Sequence, residues 1–128
     1  MDRATIVATT LALREWLELD HEARWAGYRR RAVRIIDALN LKIPAALTLG
    51  CFTLDERLLD EPVNAVVIRP DVGSGHSPTS LATALASGTP SIRAISLGDE
   101  LAFCLETVFD YEDELLIERI SAAFSAQP

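Results

Sequence analysis

Two histidines, two cysteines, one lysine and eleven arginines carry whatever polar chemistry this chain of 128 residues offers beyond its carboxylates and hydroxyls. Arg69 and Arg93 come first, because each ends or interrupts an apolar strand-like run, where a charge is costly unless paired or exposed at an edge. A guanidinium presents a planar fork that fits a carboxylate or a phosphate, so both are candidate substrate-binding residues. An internal ion pair with one of the 19 acidic residues is the competing reading for each. His76 closes the loop Asp71-Val72-Gly73-Ser74-Gly75-His76, where an imidazole could serve as acid or base, and it is the third candidate. His21 reads as a first-turn helix residue. Cys51 and Cys104 lie far apart, flanked by apolar residues, with no CxxC or Cys/His spacing, and read as buried free thiols rather than metal ligands. Lys42 stands in a helix-to-strand connection and reads as a surface residue. Gly73-Ser74-Gly75 matches neither a Walker loop nor a dinucleotide loop, and no GxSxG elbow or Ser, His and Asp set can be assembled. The residues supply no self-contained catalytic, cofactor or metal site.

The charge balance narrows the partners. Twelve basic against 19 acidic residues give a net charge of −7, which repels nucleic acid. The cluster Arg29-Arg30-Arg31 therefore reads as a solvated helix face or as one half of salt bridges to a partner. The N-terminal stretch lacks a basic segment followed by a sustained apolar one, so neither a signal peptide nor a membrane span is expected, and a reducing cytoplasmic setting follows. Length and a hydrophobic content of 49% fit one domain over residues 1–128, with a helical part over 1–40 and a mixed part over 45–125.

Periodicity places these residues on elements. Trp25, Tyr28, Ala32, Ile35 and Leu39 recur at helical spacing and form one stripe, which must face a core or a partner. A helix begins near Asp20; whether residues 5–19 form a separate helix is left open by a broad apolar arc. Ala45 to Leu54 and Asn64 to Arg69 read as strands, joined by a charged surface connection through Asp55-Glu56-Arg57 and Asp60-Glu61-Pro62. Ser77 caps a helix with Pro78 at its first position and Gly88 just past its end. Ser91 to Ile95 and Leu101 to Leu105 flank Gly98-Asp99 as a hairpin, and a last helix opens near Asp110. The order ααββαββα predicts an α+β fold, an antiparallel-leaning sheet covered by helices.

Several stretches taken together resemble a known family. Glu15-Trp16-Leu17, Asp20-His21-Glu22-Ala23 with Trp25, the strand Ala65 to Arg69, Ser77-Pro78-Thr79, Gly88-Thr89-Pro90, and Leu101 to Val108 are similar, in order, to the C-terminal small domain of fold-type-I pyridoxal-phosphate enzymes. The enzymes in question are related to bacterial selenocysteine synthase (L-seryl-tRNA selenium transferase) and D-glucosaminate-6-phosphate ammonia-lyase. The resemblance covers about residues 6–124. Where those enzymes carry an arginine after the Gly-x-Pro, this chain has Ile95, with Arg93 on the same strand face; the closing strand has Cys104 and Glu106 where the family has acidic and basic residues. The resemblance implies a transferase or lyase domain whose cofactor, pyridoxal phosphate, is held by a large domain absent here, so that this chain alone is not catalytic. By the resemblance Arg93 can stand in for the family's substrate-contacting arginine; from its periodicity, the stripe Trp25, Tyr28, Ala32, Ile35 and Leu39 is expected to form a homodimer or to dock a large pyridoxal-phosphate domain. Two other readings compete: an oligomerisation or interaction module using that stripe, and a small anion-binding domain using Arg69 and Arg93.

Overall fold

The computed structural model describes residues 2–55 and 57–126, which leaves Glu56 of the charged connection outside the description. Two aspartates settle the open question about the first forty residues. Asp2 accepts from the backbone N–H of Thr5 at 2.8 Å and starts α1 (Arg3–Glu18), and Asp20 accepts from Ala23 at 2.9 Å and starts α2 (His21–Leu39). Leu19 and Asp20 between them are extended, so these are two helices. α1 buries none of its residues. Its end is held against α2 by His21, whose ring lies 4.7 Å from that of Trp16 and whose Nε2 is 3.0 Å from the Trp16 carbonyl oxygen.

Five strands follow: β1 (Ala45–Phe52), β2 (Leu58–Leu59), β3 (Ala65–Pro70), β4 (Ile95–Leu97) and β5 (Glu100–Cys104). They form one antiparallel sheet in the order β2-β1-β3-β5-β4. Helix α3 (Pro78–Ser87) connects β3 to β4, and two short 3-10 turns, Leu105–Thr107 and Asp110–Glu112, lead from β5 into α4 (Asp113–Ser125). The α+β class and the antiparallel sheet agree with expectation; the order of elements differs by one strand. β2 occupies part of the stretch expected to be a surface connection, because Thr53 closes a tight turn with Arg57, donating its N–H to the Arg57 carbonyl at 3.0 Å. The strand expected over Ser91 to Ile95 begins only at Ile95. Its leading residues are tied to α3 instead: the Ile92 N–H donates to Leu85 at 3.0 Å and the Ser91 hydroxyl to Ala86 at 2.7 Å. Leu97 pairs with Glu100 around Gly98, which sits at φ 61°, the left-handed conformation the hairpin turn requires.

α3 carries the expected cap, a reciprocal pair in which Ser77 and Ser80 each accept from the other's N–H at 3.1 and 3.0 Å. Gly88 ends it in an extended conformation, φ −79°, rather than a left-handed one. The Arg119 guanidinium lies over it: a Cβ would come 1.4 Å from Nη2 and would move that side chain aside.

The core lies on one side of the sheet. Val66 pairs with Phe103 and Ile68 with Leu101 across β3 and β5, and these four buried side chains meet Ile35 and Leu39 of α2, Leu81 and Leu85 of α3, and Ile117 and Ile120 of α4. Ala65, Val67 and Ala102 alternate onto the other face, outside this cluster. The α2 stripe therefore faces the chain's own core: Ala32, Ile35 and Leu39 are fully buried in it, Tyr28 packs against it, and Trp25 is half-buried. As a docking surface for another chain the stripe is corrected, since three of its five residues are already covered.

The arginine cluster is corrected as well. Arg31 turns inward, its side chain 11% exposed, and its Nε and Nη2 donate to the two oxygens of Asp113 at 3.1 and 2.7 Å. Asp113 is fully buried at the start of α4. Arg31 also donates to the carbonyl of Val108 at 2.8 Å, and Arg34 reaches the same carboxylate. Arg29 pairs with Glu61 of the same chain, leaving Arg30 exposed. Truncating Asp113 leaves Arg31 enclosed without its carboxylate. Asp113→Ala is expected to lower unfolding free energy in urea by about 3–5 kcal/mol, and Arg31→Met with Asp113→Leu to recover most of that loss. A single variant within about 0.5 kcal/mol of the parent would show that the pair does not hold α4 in place.

Candidate functional site

At the end of the sheet where β1 and β5 finish, a cavity of about 690 Å³ opens. Its wall is mainly apolar, from Trp25 of α2, Phe52 at the end of β1, Leu54 after it, Leu59 of β2 and Ile95 of β4. Seven polar or thiol-bearing residues join it: Cys51, Thr53, Asn64, Arg93, Cys104, Glu106 and Thr107. A volume of this size with few polar groups is typical of a small-molecule site.

Asn64 organises this end of the sheet. It is buried, its Oδ1 accepts from the Phe52 N–H at 2.7 Å, and its Nδ2 donates to the Phe52 carbonyl at 3.0 Å and to Oε1 of Glu106 at 3.2 Å. Its backbone N–H donates to Gly50 at 3.0 Å and its carbonyl accepts from Leu105 at 2.8 Å. One side chain thus supplies the two bonds a further ladder residue would make, and it fixes the carboxylate of Glu106 at the wall. Asn64 was not among the residues expected to matter. Its signal was a lone amide opening the run Ala65-Val66-Val67-Ile68, where a buried polar group must be bonded.

Of the three candidate residues, only Arg93 lines the cavity. It is exposed, precedes β4, and makes no ion pair or side-chain hydrogen bond among the described residues. Arg69 follows the competing reading: it lies 3.1 Å from Asp99 and donates to Glu100 at 2.6 Å, fastening β3 to the β4–β5 hairpin. His76 is half-buried, its Nε2 3.1 Å from the carbonyl oxygen of Phe124 and its ring edge-on to that phenyl ring at 5.3 Å, so it moors its loop on the end of α4. Neither is brought to Arg93.

Cys51 and Cys104, distant in sequence, line the cavity together. Burial raises the pKa of both thiols, and the negative charge of Glu106 pushes in the same direction. They are protonated at neutral pH and are poor nucleophiles. With neutral thiols, an engaged carboxylate and a free guanidinium, the cavity can bind an apolar molecule or side chain with an anionic end; it assembles no proton-transfer pair. Pyridoxal phosphate does not fit as a resident group: no lysine lines the cavity, and Lys42 is exposed in the turn after α2. Among the described residues no group of three His, Cys, Asp or Glu side chains converges as a metal site, and no helix is long and apolar enough to cross a membrane. No protein-family model matches the chain, and no curated protein matches it.

The thiols give a pH dependence of defined sign. Their pKa is higher folded than unfolded, so the stability they add is full below the unfolded value near about 8.5 and is lost as pH rises through the folded value. The parent chain is expected to lose more stability between about pH 8 and 10 than Cys51→Ala with Cys104→Ala, and native thiols should react with iodoacetamide more slowly than urea-unfolded ones. Equal alkylation rates would contradict the shielding of buried Cys51 and half-buried Cys104.

Proposed function

We propose that this chain acts as the small, non-catalytic domain of a pyridoxal-phosphate transferase or lyase of the selenocysteine synthase kind, presenting Arg93 to the anionic end of a substrate held mainly by another unit. The observation that carries the reading is the Arg93 guanidinium, unpaired among the described residues, beside a largely apolar cavity, while Arg69, Arg29 and Arg31 are bound within the chain. Helices packed on one side of an antiparallel sheet, with short side chains on the other, suit a domain that closes against a second body. Free thiols suit the reducing, cytoplasmic setting such an enzyme would have. The cofactor, when bound by the large domain, supplies an electron sink for carbanion chemistry; this chain contributes a positioned cation and an apolar wall.

Two measurements check it. Mixed with pyridoxal phosphate, the chain should develop no aldimine absorbance and no borohydride-reducible adduct at Lys42. Octanoate, an apolar carboxylate, should bind the cavity, with Arg93→Ala weakening it about tenfold, the worth of one charge-assisted hydrogen bond. A stable lysine adduct, or octanoate binding indifferent to Arg93, would overturn the proposal.

A second reading, an oligomerisation module, is favoured by α1. Leu17 is 73% exposed, and Ile6, Leu13 and Trp16 are about half exposed, although all four are large apolar residues. Ile6, Leu13 and Leu17 fall on one side of the helix, a stripe that gains by being covered. In this reading the contact is α1, in place of the stripe Trp25 to Leu39. Sedimentation equilibrium is expected to show self-association that Leu13→Glu with Leu17→Glu abolishes; a parent chain that stays monomeric at high concentration excludes it.

A further inference from the structure

We propose that the groove between α2 and the Asp110–Glu112 turn is a second binding site, for a compact oxyanion carrying two or more negative charges. The groove encloses about 450 Å³ and shares no lining residue with the Arg93 cavity. Arg24, Arg31 and Arg34 recur at seven and three residues along α2, with Gly27 and Tyr28 between them, so one helical face turns three guanidinium groups towards the turn. Arg30 joins from the side. Its Nη2 lies 3.8 Å from where a Cβ of residue 27 would be, an ordinary contact distance that places the guanidinium over this turn of the helix.

The charges do not balance internally. Four guanidinium groups meet two carboxylates, Asp113 and Asp110, in a chain that has acid to spare elsewhere. Asp113 is buried and occupies one edge of Arg31 and part of Arg34. Arg30 has no ion pair or side-chain hydrogen bond among the described residues. Arg24 is already oriented: its Nε donates to the Tyr28 hydroxyl at 3.2 Å, and its guanidinium carbon lies 5.1 Å from the Trp16 ring centre and 5.5 Å from that of Tyr28. Like charges lining one groove repel one another, and an anion in the groove relieves that repulsion.

Asp110 shows the kind of group the groove accepts. Its carboxylate is 86% exposed yet rests 3.0 Å from Nη1 of Arg31, on a side chain free to swing into solvent and yield its place. Arg24, Arg30 and Arg34 line the same groove, and their guanidinium forks suit an oxyanion bound there. The net charge of −7 discriminates by size: an extended polyanion is repelled by the rest of the surface, whereas a compact one is not.

Pyrophosphate and citrate, each titrated at constant ionic strength, test the site and separate a phosphate preference from a tricarboxylate one. One-site calorimetric binding by either ion and a raised melting temperature are expected. Arg30→Gln, which touches no structural partner, should weaken binding about tenfold, Asp110→Asn should tighten it by removing the competing carboxylate, and Arg93→Ala should leave it unchanged. Stabilisation matched by sodium chloride at equal ionic strength, or affinity unaltered in Arg30→Gln and in Asp110→Asn, would overturn the proposal.

Discussion

Asp113 cannot be buried alone. An uncompensated carboxylate in an apolar interior costs several kcal/mol, and the chain meets that cost with Arg31, 82 residues earlier, in a two-point contact. Much of the architecture follows. The same guanidinium holds the carbonyl of Val108, so β5 must end and the chain must turn where α2 can reach it. α4 then starts at Asp113, with its acidic first turn at the positive end of the helix and Ile117, Ile120 and Phe124 set into the core. Because α2 is fixed by this pair on one side and by Ala32, Ile35 and Leu39 on the other, Trp25 one turn before its middle is placed at the wall of the Arg93 cavity.

The arginines divide according to what is left to them. Arg31 is consumed by the fold, Arg69 by the β4–β5 hairpin and Arg29 by Glu61. Arg93 is left at an apolar cavity, and Arg30 and Arg24 at a cationic groove. What sets Arg93 and Arg30 apart is that each lines a concave site while making no ion pair among the described residues. The two thiols, neutral at neutral pH and kept so by burial, add apolar surface to the cavity without competing for its cation.

The elements read best from the sequence are those whose causes are local. Ser77, Pro78 and the leucines at 81 and 85 specify α3 within ten residues, and Gly98 specifies the hairpin turn. The α2 stripe was equally legible as a stripe, but periodicity says that a face is covered, not by what, and here the cover is the chain's own sheet. β2 was invisible because its two leucines sit among charges and become a strand only by pairing with Cys51 and Phe52. At the site, Arg93 was found because a lone charge at the edge of an apolar run is a local anomaly. The meeting of Cys51 with Cys104, the bonding of Asn64 to Glu106, 42 residues on, and the turning inward of Arg31 to Asp113, 82 residues on, are products of strand register and helix packing, and no short window contains them.

The partition of the arginines is most directly tested by the side-chain Nε–H signals in the nitrogen-15 NMR spectrum, read by their exchange with solvent. The Arg31 Nε–H, donated to a fully buried carboxylate, should exchange far more slowly than that of any other arginine, while Arg93 and Arg30 exchange as freely as in an unfolded peptide. An Arg31 signal that exchanges as fast as those two, or an Arg93 signal protected in the free protein, would contradict the account.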